Sequence, residues 1–200
     1  MIMLLSTASN LYWLGRLMVR VDSICRLLPF KDDEEAVAYS HAFCLPAFNA
    51  ETLNQLLNDD EQPASIAANL DLIRENMQSV RGVISQDFFE CLNALTNPKQ
   101  EFKTKACELI LGCCETVLRE DRNVHLFWRL GQCIEQIDFA LRLKHSAEMA
   151  INDLRTVVEV LSPIGWQALE APWVELQQHQ DINSLYSFCD HMQALFEEGP

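Results

Sequence analysis

Glycine and proline are scarce in this sequence, and no long apolar run occurs. The 200 residues include only 6 Gly and 7 Pro, and long periodic stretches separate them. Because these residues punctuate chains that turn often, their scarcity favours an all-α fold over a many-stranded β fold. No apolar stretch approaches the roughly 18 residues that can cross a bilayer, so we expect no transmembrane helix.

Positive charge is also scarce. The chain has 15 Lys and Arg against 29 Asp and Glu, which gives a formal net charge of −14. A surface this acidic repels the phosphates of nucleic acids and of anionic lipids, so we expect neither nucleic acid nor a membrane as a partner. A partner with a basic surface is favoured instead. The opening MIMLL run is too short for the apolar core of a signal peptide, so we expect a cytoplasmic protein.

Motifs for metal binding and catalysis are missing as well. The 8 cysteines form no Cys-x-x-Cys pair and the 5 histidines never lie four apart, so we expect no metal site. In a reducing compartment the cysteines are thiols, and their positions in apolar stripes indicate core packing. Adjacent Cys113 and Cys114 are left open as a redox pair. No nucleophile elbow, phosphate-binding loop or dinucleotide fingerprint occurs, so we expect no cofactor and assign no catalytic residue.

Apolar residues recur at helical spacing along most of the chain. In residues 11–28 they return every three or four positions, and residues 126–143 show the same pattern. Aligning Gly15 on Gly131 also superposes an Asp and an Arg in the two stretches. The two copies predict internal pseudo-symmetry, and the alternative is chance recurrence of an amphipathic helix. We expect residues 1–200 to form one all-α domain, a bundle of about seven to eight helices.

Trp166 and Trp173 lie beside Pro172 in a stretch that we expect to be irregular. These tryptophans either pack in the core, which is the favoured reading, or form an exposed anchor for a partner protein. The helix that begins near Leu126 is expected to continue past His145 with little break.

Three segments resemble the bacterial alpha-E domain family. They are LYWLGR near the start, RENMQSVRGVISQDFFECLN in the middle and LGQCIEQID further on. The family's motifs are typically written LYWLGRYLERAE, RENARSVR and LGRYLERAD, and the middle segment agrees best. The similarity runs from Leu5 to about Leu143. It implies a helical fold, and it implies association with ATP-grasp and transglutaminase-like proteins in systems that ligate or modify peptides.

The Glu-Arg pair that names the family is split between the two copies. Arg20 remains beside Val19 in the first copy, whereas Glu135 remains beside Gln136 in the second. If the two helices pack as a pair, Arg20 faces Glu135 in a buried, charge-assisted contact that orients them. The alternative places both side chains on solvated faces. Arg16, one turn before Arg20, is a further candidate binding residue.

A second polar cluster lies in the middle segment. Because arginine offers a bidentate fork to carboxylates and phosphates, this cluster is a candidate anion-binding site. The alternative is structural, with the polar side chains hydrogen-bonding other helices of the bundle. The members of the cluster are Arg74, Glu75, Asn76 and Arg81.

These observations favour a non-catalytic subunit. We expect a helical partner of an ATP-grasp-type ligase or a transglutaminase-like protein, which contributes a docking surface or part of a substrate pocket around Arg20, Arg81 and Glu135. The first alternative is an enzyme whose buried Arg, Glu and Asn side chains bind a small anionic or amino-acid-like substrate. The second alternative is a self-associating bundle, a homo-oligomer with no ligand.

Overall fold

The computed structural model describes residues 3–97 and 102–199. These ranges contain ten α-helices and no strand, so the all-α prediction is confirmed. The expected count of about seven to eight helices is too low. The helices are α1 (Leu5–Leu27), α2 (Asp33–Ala42), α3 (Ala50–Asn58), α4 (Ile66–Val80), α5 (Gln86–Leu95), α6 (Phe102–Val117), α7 (Arg122–Arg142), α8 (Glu148–Leu161), α9 (Glu170–His179) and α10 (Ile182–Glu198).

Polar caps determine where five of the helices begin. In α2, α3, α4, α5 and α10 the capping side chain accepts a hydrogen bond from the backbone N–H three residues later. First-turn N–H groups have no partner inside their own helix, so each cap satisfies one of them. The capping residues are Asp32, Asn49, Ser65, Ser85 and Asp181.

Two expectations about helix boundaries are wrong. The stretch around Trp173 is helical, because Pro172 lies in the first turn of α9, where its missing N–H breaks no helical hydrogen bond. The long helix α7 does not continue past His145. Lys144 adopts a left-handed φ of 58°, and the His145 N–H donates to the Ala140 carbonyl at 2.7 Å, which closes the helix.

The chain forms two compact units. The first combines the chain up to Arg16 with the residues from Arg122 onward, and the second runs from Leu17 to Asp121. None of the helices in the described ranges combines the length and apolarity that crossing a bilayer requires. The expectation of a single domain over residues 1–200 stays a prediction.

The core of the first unit is rich in aromatic side chains. Within it α8 packs on α7, and α10 packs on both α7 and α9. Trp166 is 4 % exposed, and its ring lies 5.2 Å from that of Phe196 and 5.4 Å from that of Phe127. Trp173 is buried as well, so the core reading of both tryptophans is confirmed.

The second unit is built on shorter helices. Here α5 packs on α6 and α4, and α3 packs on α2 and α4. Buried apolar residues from each helix, such as Ile73 of α4 and Phe88 of α5, fill its core. The stripes that the sequence shows at helical spacing therefore face inward, as amphipathic helices require.

Two glycines mark a close crossing of α1 and α7 in the first unit. A Cβ atom placed on Gly15 would lie 2.1 Å from the backbone oxygen of Trp128. One placed on Gly131 would lie 1.9 Å from the backbone oxygen of Tyr12. Both separations are far shorter than a van der Waals contact, so the two backbones can meet only where no side chain intervenes.

Adding a single methyl group at this crossing should destabilise the protein. We expect Gly15→Ala and Gly131→Ala each to lower the free energy of unfolding by about 3 kcal/mol or more, because backbone must move away from backbone. Gly112→Ala in α6 is the matched control, since a Cβ there meets nothing within 4 Å. Its better helix propensity should add roughly 1 kcal/mol. Urea unfolding measures the free energy of unfolding of all three variants. Unchanged midpoints for Gly15→Ala and Gly131→Ala would contradict the close crossing.

Candidate functional site

Glu135 of α7 is buried and paired with Arg16 of α1. The Arg16 Nε donates to Glu135 Oε2 at 2.7 Å, and the Glu135 side chain is 1 % exposed. The alternative that placed Glu135 on a solvated face is therefore wrong. Its own apolar stripe lies on another side of α7, but residues on several sides of this helix are buried. A helix enclosed in this way must satisfy its polar residues internally.

Arg16 is held by two further contacts within the first unit. Its Nη1 donates to the Tyr12 hydroxyl at 3.1 Å, and its guanidinium carbon lies 5.0 Å from the centre of the Trp13 ring. Burial by itself lowers the pKa of Arg16, but the adjacent Tyr12 oxygen and the Glu135 carboxylate raise it above its usual value overall. Arg16 is therefore a permanent cation on an aromatic surface.

Two more titratable groups lie beside Arg16, and both stay protonated. Burial raises the pKa of the Tyr12 hydroxyl, against the opposing charge of Arg16. Burial also raises the pKa of the Cys189 thiol of α10 to about 11, again opposed by Arg16. Because a thiol reacts through its thiolate, Cys189 is a poor nucleophile at neutral pH. The cluster offers positive charge and hydrogen-bond donors, and it offers neither an activated nucleophile nor an accessible base.

Arg20 lies one turn beyond Arg16, in the second compact unit. Its proposed pairing with Glu135 stays a prediction. The structure pairs Glu135 with Arg16, a partner that the sequence analysis did not predict.

The members of the middle polar cluster make separate contacts within the second unit. Arg74 forms an ion pair with Asp71 of its own helix and donates to the carbonyl of Thr96, the residue after α5. This contact agrees with the structural reading for Arg74. Asn76 instead donates to the Leu72 carbonyl of α4 at 2.8 Å, so it bonds its own helix and not another one.

Arg81 is the exposed arginine of that cluster. Its guanidinium carbon lies 4.8 Å from the centre of the Phe89 ring of α5. Glu75 is exposed too, and consecutive positions on a helix point about 100° apart, so Arg74, Glu75 and Asn76 do not share one face. Anion binding by these residues stays a prediction, with Arg81 the best placed to meet a partner.

The cysteines whose side chains the structure describes are free thiols, at positions 25, 44, 91, 113, 114, 133 and 189. Cys113 is buried and Cys114 half-buried, and burial raises the pKa of Cys113. Burial also raises the pKa of Cys133 to about 12. Among residues 3–97 and 102–199, no three His, Cys, Asp or Glu side chains lie together in a way that could hold a metal ion.

The sequence reasoning missed Tyr12, Trp13 and Cys189. A signal was present for the first two, because Tyr12 lies four residues and Trp13 three residues before Arg16, the spacings that bring side chains together on a helix. Cys189 carries no such signal, since only the packing of α10 brings it to this cluster.

Removing one member of the buried ion pair should be costly. We expect Glu135→Ala or Arg16→Ala to lower the free energy of unfolding by about 3–5 kcal/mol, because the remaining charge loses its partner. The double variant should cost less than the sum of the single variants. Glu148→Ala, at an exposed position of α8, is the control and should change stability by less than about 0.5 kcal/mol. Additive losses in chemical denaturation would contradict the pairing.

Thiol labelling should follow burial. At about pH 8 a maleimide should label exposed Cys44 in the folded protein, while Cys113 and Cys133 should react only after unfolding, because burial and raised pKa values suppress their thiolates. Mass spectrometry of digested protein locates the labels. Labelling of Cys133 as fast as Cys44 under native conditions would count against this core.

Comparison with protein-family models identifies one family. The Alpha-E family model, described as a predicted alpha-helical domain with a conserved ER motif, matches residues 3–150. No curated protein and no solved structure matches the chain. The matched stretch includes Arg16 of α1 and Glu135 of α7, so the buried ion pair lies inside it. The chain therefore belongs to the Alpha-E family.

Proposed function

We propose that this chain is a non-catalytic helical subunit whose partner is an ATP-grasp-type ligase or a transglutaminase-like protein in a system that ligates or modifies peptides. The burial of Glu135 carries the proposal. The glutamate that remains from the Glu-Arg motif is 1 % exposed and bound to Arg16. A proton-transferring carboxylate must come within hydrogen-bond reach of its substrate. Glu135 instead fixes the geometry of two helices, a role that such buried pairs serve better than stability.

Charge supports association with a separate protein. The formal net charge of −14 attracts a basic partner surface and accelerates its approach. Arg81 is an exposed cation on this acidic chain, and its stacking on Phe89 restricts the side chain before a partner arrives. A restricted arginine loses less entropy on binding, so it is a suitable anchor for a carboxylate of the partner.

We further propose that α1 and α7 are related elements of a pseudo-symmetric pair. Aligning Gly15 on Gly131 places Tyr12 on Trp128. A Cβ on Gly15 would meet the Trp128 backbone oxygen, and a Cβ on Gly131 would meet that of Tyr12. Each helix thus presents the equivalent carbonyl to the glycine of the other, as a local two-fold relation requires.

One observation favours the enzyme alternative. Arginine has five N–H donors, and Arg16 uses one on Glu135 and one on Tyr12. Its side chain is 15 % exposed, so the remaining donors could meet a small anionic or amino-acid-like substrate. Self-association is less favoured, because two copies of so acidic a chain repel each other.

The subunit proposal is tested by co-expression with an ATP-grasp-type ligase from the same organism. We expect the two proteins to co-elute in gel filtration, and the chain to raise the ligase turnover without any turnover of its own. Arg81→Ala should weaken the complex roughly tenfold, equivalent to about 1.4 kcal/mol. Arg155→Ala removes the same charge at an exposed position of α8 and should leave the affinity unchanged.

Two results would overturn the proposal. One is separate elution of the two proteins in gel filtration at about 10 µM or more, a concentration well above the Kd of a specific complex. The other is substrate turnover by the chain alone that Arg16→Lys abolishes while the fold persists. That second result would establish the enzyme alternative, because lysine keeps the charge but loses the planar fork.

A further inference from the structure

We infer that the groove between α5 and α6 is a docking site for a basic amphipathic helix of a partner protein. The inference goes beyond the proposed function, and it does not require that the partner be an ATP-grasp or transglutaminase-like protein. It rests on the shape of the groove, on the charges around it and on the apolar side chains that line it.

The groove has the size and the floor that a helix needs. Its volume is about 490 Å³, and its floor includes the small residues Ala94 and Gly112. A Cβ on Gly112 would meet nothing within 4 Å, so there is open space directly above the backbone of α6. The α6 part of the lining, from Glu108 to Thr116, spans about 12 Å at the rise of an α-helix, which corresponds to about two turns of a docked helix.

Acidic side chains dominate the rim of the groove. Among the described side chains that line it, three carboxylates, from Asp87, Glu90 and Glu108, accompany one guanidinium, from Arg119. This excess selects an occupant that carries Lys or Arg beside its contact face. A second copy of this chain does not fit that description, because its own net charge is −14.

Apolar side chains also line the groove. Cys91 and Ala94 of α5 and Leu109 of α6 belong to its lining, and all three are half-buried. A helix in the groove could cover these side chains with an apolar face while its basic residues meet the rim. This is the helix-in-groove mode of recognition.

The two walls of the groove are already fixed to each other. The Ser85 backbone N–H, at the start of α5, donates to Glu120 Oε2 at 2.9 Å, and the Ser85 hydroxyl bonds the same carboxylate. The Cys91 thiol lies 3.4 Å from the Thr116 hydroxyl across the floor. Because these contacts hold α5 against α6 beforehand, little ordering is left for the moment of binding.

A synthetic peptide tests the inference on the full chain. The probe is a fluorescent leucine–lysine peptide of about 14 residues, long enough for the groove, with its leucines on one helical face. Its control has the same composition in an order that removes the apolar face. Fluorescence anisotropy should give a Kd for the amphipathic peptide at least about tenfold lower than for the scrambled one.

Matched variants locate the binding site. Glu90→Lys with Glu108→Lys should weaken binding at least about tenfold. Glu159→Lys with Glu175→Lys changes the net charge equally at exposed positions of α8 and α9, and should change the Kd less than about twofold. Gly112→Leu should fill the groove and weaken binding about tenfold without lowering the thermal midpoint, since leucine is the better helix former.

Three results would overturn the inference. They are equal binding of the scrambled peptide, equal weakening by the α8–α9 control pair, and unchanged binding by Gly112→Leu. The first two would mean that bulk acidity attracts any cation, and the third that the peptide binds elsewhere. None of them bears on co-elution with a ligase or on Arg81→Ala, so this inference and the proposed function fail separately.

Discussion

The ion pair between Arg16 and Glu135 is the interaction on which the arrangement of the first unit depends. A carboxylate that is 1 % exposed would be strongly destabilising without a cation at hydrogen-bond distance. The crossing of α1 and α7 that buries the Glu135 carboxylate also places the Arg16 guanidinium beside it. Gly15 directly precedes Arg16, and Gly131 lies one turn before Glu135, so the close backbone contact brings the two charges together. Substituting either glycine therefore threatens the ion pair as well as the packing.

This arrangement changes what the family's motif means in this chain. Each copy retains one half of the Glu-Arg pair, and the retained glutamate is bound inside the first unit. The neighbours of its partner Arg16 are a thiol with a raised pKa and a buried phenol, which do not exchange protons readily at neutral pH. The recognition that we propose therefore uses exposed features, namely Arg81 and the groove between α5 and α6. Charge is central to both, because Arg81 would meet a carboxylate of the partner and the acidic groove would meet its basic side chains.

Individual helices show which parts of the fold local sequence patterns predict and which they do not. The caps at Asn49 and Ser85 could be read from the sequence, because a cap acts within three residues of itself. The helix α9 was missed because Pro172 was treated as a breaker, although proline is tolerated in a first turn. The end of α7 was missed because a lysine, not a glycine, takes the left-handed position at residue 144.

The amino-acid sequence alone determined the helical class, most helix spans, the acidic surface and the identity of the residues worth examining. Those properties follow from spacings of three and four residues and from composition. Only the tertiary structure decided that Glu135 is buried and that it meets Arg16, a residue 119 positions away. It also decided that Cys189 lies beside Arg16, and that Gly112 leaves a groove open. Contacts between distant residues depend on how helices cross, and helical periodicity specifies which face is apolar but not which neighbour covers it.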